Sequence, residues 1–252
     1  MSAFRYNSSE LFPPVIKNLL IINFLVWIAQ ITLRNHFPLT DILSLHPALP
    51  PKLQNILEQS GEINSFRSFN PYQLITYMFA HADFDRQGQI VFGHIFFNMF
   101  MLWQFGRTLE NVWGAKRFIF FYIASGVGAG ILHMAIQYFR CSELADALLS
   151  NDSARVASLS GALGPMLGAS GAIMGTMIAF GYLFPNTEFI MLPIPIPVKV
   201  KWLVIAYVAL DLFGGITNYG SDNVAHFAHL GGAITGFIIV YIWNKSNRRT
   251  LY

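Results

Sequence analysis

Six apolar stretches, each close to the length of a membrane-crossing helix, constrain this chain more than any other feature. They run from about Val15 to Leu33, Ile90 to Leu109, Arg117 to Phe139, Leu163 to Phe184, Val198 to Gly214 and Val224 to Asn244. A bilayer core of ~30 Å takes about 20 mostly apolar residues as helix, so each stretch qualifies or nearly does. Together they suit one compact bundle rather than several domains. Composition agrees, because only 12% of the residues are charged and 54% are apolar, whereas a soluble domain carries about 25% charge. A disordered chain and a coiled coil are excluded on the same ground. The net charge of +3 is too mild and too scattered for a nucleic-acid partner. Cys141 is the single cysteine, so no intramolecular disulfide forms. The sequence shows no useful strand-like alternation and no repeat of fixed period. The expected fold is therefore an all-α polytopic membrane protein, a six-helix bundle with the lipid bilayer as its surroundings.

Orientation follows from the Lys and Arg residues of the short loops. Arg5, Lys17, Arg107, Lys116, Arg117, Lys199, Lys201, Lys245, Arg248 and Arg249 fall on one side. Arg34, Lys52, Arg67, Arg86, Arg140 and Arg155 fall on the other, four of them in one long loop. Both termini are thus expected in the cytoplasm. Residues 1–14 form an N-terminal tail, 15–244 one six-helix unit, and 245–252 a second tail. The first stretch lacks the short basic lead and small-residue cleavage site of a signal peptide, so it reads as a retained helix. The outer loop, about 34–89, carries Pro47, Pro50 and Pro51 and is expected to be partly helical. Its Phe66, Phe69, Tyr72 and Phe79 suit a segment lying in the membrane interface. A second outer loop is expected over about 140–164.

Polar groups inside a span are costly and mark function. The second stretch holds His94 and Asn98, one turn apart; the third holds His133; the fourth holds Ser170; the sixth opens with His226 and His229. Ser170 lies fifteen residues before Pro185 and His229 fifteen before Asn244, which puts both ~22 Å above the inner face at 1.5 Å per residue. His94, sixteen residues before Glu110, comes to ~24 Å. Gly171 and Gly175 follow Ser170, and Gly232 and Gly236 follow His229; such small-residue pairs let helix backbones approach closely. If those faces touch, Ser170 and His229 stand side by side. A Ser hydroxyl needs a base to become a nucleophile, and His229 can be that base without an acid. No acidic orienter is expected, since Asp222 lies toward the outside and Asp211 belongs to the preceding span. Backbone N–H groups opening the fourth helix can hold an oxyanion, with Asn98 and His94 adding side-chain donors.

These residues resemble a known family. His94-Ile95-Phe96-Phe97-Asn98, Gly168-Ala169-Ser170-Gly171 and Ala228-His229-Leu230-Gly231-Gly232 with Gly236 are similar to the three motifs of rhomboid intramembrane serine proteases. Gly106-Arg107-Thr108-Leu109-Glu110 fits that family's pattern after the second helix, and the likeness covers roughly Asn70 to Asn244. The resemblance implies a rhomboid-like bundle, a Ser–His dyad of Ser170 (nucleophile) and His229 (general base), and Asn98 and His94 on the oxyanion. It also implies cleavage of transmembrane protein substrates near their outer end, entry of the substrate helix past the fifth span, and no cofactor. Two departures stand out: the segment between His81 and His94 is long, and Met174 occupies a place where relatives often carry an aromatic packed on the catalytic His.

Plainer readings compete at each position. Ser170 beside Gly could serve helix packing alone. His226 is expected at a loop end or interface, His133 as structural, and His81 as a tie between loop and second helix. Asp211 is expected to bond local backbone. A metal reading would use His94, His226 and His229, but no His-Glu-x-x-His motif is present. A transporter would show paired repeats, and an α/β-hydrolase would need Gly-x-Ser-x-Gly after a strand. A bacterial inner membrane is the expected home.

Overall fold

The computed structural model describes residues 10–63, 66–85, 87–190, 197–217 and 223–246. Arg5, Arg86, Asp222, Arg248, Arg249 and the outer parts of both expected tails lie outside these residues. The first helix, α1 (Pro14–Leu33), begins at a proline whose missing N–H costs nothing there. The next two backbone donors, Val15 and Ile16, go to the Glu110 carboxylate at 2.8 Å each. Ile16, Leu19, Asn23, Trp27 and Gln30 are buried at helical spacing, while Ile21, Ile22 and Leu25 on the other face are exposed. A helix that is apolar all round suits a protein interior on one side and lipid on the other.

The long segment after α1 is partly helical, as its prolines suggested. It holds α2 (Leu39–Leu43), α3 (Pro51–Gln59) and α4 (Gln73–Thr76), the last running into a 3₁₀ turn at Tyr77–Phe79. Next come α5 (Phe92–Trp113) and α6 (Ala115–Leu149), separated only by Gly114 at φ +80°. That conformation is open to glycine and strained for other residues. Helix α6 continues ten residues past the expected end at Phe139. The loop expected from 140 is replaced by helix because Cys141, Leu144 and Ala145 pack on Leu53 and Leu57 of α3. At 35 residues it is ~52 Å long and projects beyond a bilayer core.

Asp152 caps α7 (Ser153–Leu159), its carboxylate accepting the Arg155 N–H at 3.0 Å. Helix α8 (Ser170–Leu183) starts seven residues later than the apolar pattern suggested. Gly164, Pro165 and Gly168 hold the preceding segment out of helix, and Met166 instead exchanges backbone hydrogen bonds with Leu45 at 2.8 and 2.9 Å. A two-stranded antiparallel ribbon, β1 (Glu188–Ile190) and β2 (Pro197–Lys199), precedes α9 (Val200–Thr217) and α10 (Asn223–Ser246). No strand was foreseen in the sequence.

Among the described residues, three helical segments are long and apolar enough to cross a membrane: Pro14–Leu33, Ala115–Leu149 and His226–Ser246. Helix α8 is apolar but shorter, and almost every residue from Gly171 to Leu183 is buried. It is the central post, with α5, α6, α9 and α10 around it. The two glycine pairs meet there. A Cβ on Gly232 would overlap the Gly171 carbonyl oxygen, and one on Gly236 would lie 2.6 Å from Gly175 Cα. Helices α8 and α10 therefore pack backbone on backbone, an approach only glycine allows.

Candidate active site

Ser170 is the first residue of α8, so its N–H and those of Gly171 and Ala172 fall among the donors that a helix start leaves without intrahelical partners. The first ladder bond runs from Ile173 N–H to Ala169 O at 3.0 Å. The turn into the helix is made at Gly168, which sits at φ +120° and donates its N–H to Tyr77 O at 2.9 Å. His229 reaches the site from α10, and its Nε2 stands 2.8 Å from Ser170 Oγ. The glycine contact between α8 and α10 lies just below and sets this spacing. The Ser170 and His229 side chains are thus brought into hydrogen-bond contact.

His94 and Asn98 come from α5. Ala82 donates its N–H to His94 Nδ1 at 3.0 Å, so Nδ1 is the accepting nitrogen and the ring proton sits on Nε2. That nitrogen faces the Gly168 turn, since a Cβ on Gly168 would lie 3.2 Å from His94 Nε2 and 3.8 Å from Ser170 Oγ. The absent side chain of Gly168 leaves a gap between His94 and Ser170. Asn98 is buried and spends one Nδ2 hydrogen on His94 O at 2.8 Å; its amide carries a second. Asn98 and Ser170 line one cavity of about 90 Å³ with Phe97, Met101, Met174 and Tyr207.

One expectation and one rival reading are corrected here. Among the described residues, the Asp211 side chain bonds two histidines of the next helix and no local backbone. Its carboxylate faces α10, with both oxygens 3.1 Å from His229 Nδ1 and Oδ1 2.7 Å from His226 Nδ1. His226, expected at a loop end or interface, lies in the first turn of α10 and shares that carboxylate. The combination of His94, His226 and His229 is not assembled around one point. Among the described residues, the donor atoms close enough for a shared cation are those of Asp211, His226 and His229, all within 4.8 Å of one another. The aromatic missing at Met174 is supplied from α9, where the Tyr207 ring lies 6.5 Å from that of His229.

His81 ties the segment after α1 to two helices. Its backbone N–H and C=O pair with the Gln30 side chain of α1 at 3.0 and 2.9 Å, and its ring lies 5.3 Å from the His94 ring. Burial, helped by the nearby His94, pushes the His81 imidazole down to about 3. His133 is buried on α6.

Fold and site together define a helical membrane protein with a serine hydroxyl and an imidazole in contact inside the bundle. The rhomboid domain model matches residues 68–246, and the chain belongs to the rhomboid family. It is 32% identical over 152 residues to "Rhomboid protein 1, mitochondrial" of Saccharomyces cerevisiae, covering 60% of this chain and 38% of that protein. Against "Rhomboid protease AarA" of Providencia stuartii the figures are 33% over 152 residues, 58% and 49%. Against "RHOMBOID-like protein 12, mitochondrial" of Arabidopsis thaliana they are 29% over 178 residues, 70% and 47%. The chain spans about half the length or less of these curated relatives. Two of the three are mitochondrial by name, so the expectation of a bacterial inner membrane gains no support from them.

Proposed function

We propose that this chain is an intramembrane serine endopeptidase that cleaves transmembrane segments of other membrane proteins near their outer end. The observation that carries the reading is the 2.8 Å contact between His229 Nε2 and Ser170 Oγ at the start of a helix. In this reading 15–244 is one six-span unit with both termini in the cytoplasm. A substrate helix enters past α9 and unwinds. Ser170 Oγ attacks the scissile carbonyl as its proton passes to His229 Nε2, giving a tetrahedral oxyanion. The Ser170 N–H, the Asn98 amide and His94 Nε2–H stabilise that charge as it develops. His229 returns the proton to the leaving amine, the C–N bond breaks, and an acyl-enzyme remains. Water then attacks the ester with His229 again as base, releasing the acid and restoring Ser170.

A cavity of about 90 Å³ beside Ser170 suits a small side chain at the cleavage point, and small residues also ease unwinding. The test is cleavage of a reconstituted substrate carrying a single transmembrane helix with an Ala at the site. Wild type should cut it, Ser170→Ala and His229→Ala should not, and replacing the Ala by Trp should slow cutting by tenfold or more. Cleavage by Ser170→Ala at the wild-type rate overturns the reading.

A further inference from the structure

We propose that Asp211 is the positioning residue of this site, holding His229 in the one tautomer that can take the Ser170 proton, and that His226 holds Asp211. The inference rests on the Ser170–His229 reading and adds a third and a fourth member to it.

The geometry is a chain across two helices. Ser170 Oγ meets His229 Nε2 at 2.8 Å. On the far side of the ring, His229 Nδ1 lies 3.1 Å from both Asp211 oxygens. A carboxylate only accepts hydrogen bonds, so the nitrogen facing it carries the proton. The lone pair is then left on Nε2, toward the Ser170 hydroxyl. Once His229 has taken the Ser170 proton, the adjacent carboxylate also stabilises the imidazolium, more strongly here than in water because the surroundings are largely apolar.

The Asp211 side chain is only 10% exposed, and a carboxylate withdrawn from water that far needs its own donors. His226 supplies one, its Nδ1 standing 2.7 Å from Oδ1. His226 and His229 are three residues apart on α10, hence on one face, and a single acid from α9 reaches both. The same trio could bracket a divalent cation. Ligands held about 2.0–2.2 Å from a tetrahedral zinc stand roughly 3.3–3.6 Å from one another, whereas the nitrogens and oxygens here approach to 2.7–3.1 Å, the spacing of N–H···O pairs.

The test compares full-length wild type, Asp211→Asn and Asp211→Glu in detergent, with Ser170→Ala as blank. Asp211→Asn keeps the shape but disturbs the tautomer. It should lower kcat by about 10²–10⁴ with KM within about threefold, and Asp211→Glu should recover at least tenfold of that loss. A kcat for Asp211→Asn within threefold of wild type overturns the proposal. So does a loss that excess chelator reproduces in wild type and zinc restores, because the trio is then a metal site.

A second readout needs no turnover. Nitrogen-15 NMR of the histidine rings in Ser170→Ala protein should place the neutral His229 proton on Nδ1, and adding Asp211→Asn should spread it over both nitrogens. An unchanged tautomer overturns the role of Asp211, whatever the kinetics. Wild type that neither cleaves nor reacts at Ser170 overturns the endopeptidase reading instead, and the NMR result still decides the role of Asp211.

Discussion

Gly168 makes the strongest single-residue demand in the site. Its φ of +120° is closed to ordinary side chains, and the space of its missing Cβ lies between His94 Nε2 and Ser170 Oγ, where a developing oxyanion would sit. Gly168→Ala should therefore lower cleavage by at least tenfold and cost about 1–3 kcal/mol of stability, read by turnover and thermal unfolding on the same preparation. Asn98→Ala removes one amide donor and should lower kcat by roughly 10²–10³ with little change in KM; equal activity would take Asn98 out of the oxyanion site. Ser170 and His229 were legible in the sequence because each sits a fixed number of residues from a marker on its own helix. Asp211 was not. Its partners lie on the next helix, and which faces of α9 and α10 meet depends on crossing and rotation that spacing within one element does not encode. The histidine pair at i and i+3 was the available signal, since it offers two donors that one acid can satisfy.

Between elements, the α8–α10 contact brings Ser170 and His229 together. Glycine faces each other at Gly171, Gly175, Gly232 and Gly236, with no room for a Cβ on Gly232 or Gly236. Gly236→Val should push α10 outward, lengthen the His229–Ser170 contact, and lower both activity and unfolding temperature. Wild-type turnover in that variant would mean the spacing is set elsewhere. At the other end of the bundle Glu110, buried on α5, receives the first two donors of α1. Glu110→Ala strands them, and at about 1–3 kcal/mol for buried unsatisfied groups it should lower the unfolding temperature. The close helix approach was readable because small residues repeat every four positions on both faces. The late start of α8 was not, because an apolar run continues to Ser170 while Gly164, Pro165 and Gly168 keep the helix from starting within it. The extension of α6 was hidden likewise: its polar surface resembles a loop until α3 is seen to cover the Cys141 face.

Across the whole molecule, large apolar side chains remain exposed on the long helices, among them Phe97, Phe120, Ile131, Leu210 and Ile242, and a bilayer is the medium in which that surface is stable. The buried His81 couples the stability of this assembly to acid. Its pKa falls from an unperturbed 6.5 to about 3 in the folded chain, so between those values the unfolded state binds the extra proton. Stability is full above about 6.5 and falls as the pH drops toward 3, by at most about 1.4 kcal/mol per unit. Unfolding temperatures in detergent at pH 7.5 and pH 5 should show that fall, and His81→Gln should reduce it; an equal fall in both would assign the acid sensitivity to other groups. An activated Ser170 nucleophile is tested most simply by covalent capture with a serine-reactive phosphonate in detergent, the modified peptide being located by mass spectrometry. Adduct is expected on Ser170 in wild type, none in Ser170→Ala and little in His229→Ala. Adduct formation that is undiminished in His229→Ala, or that falls on another residue, would contradict that expectation.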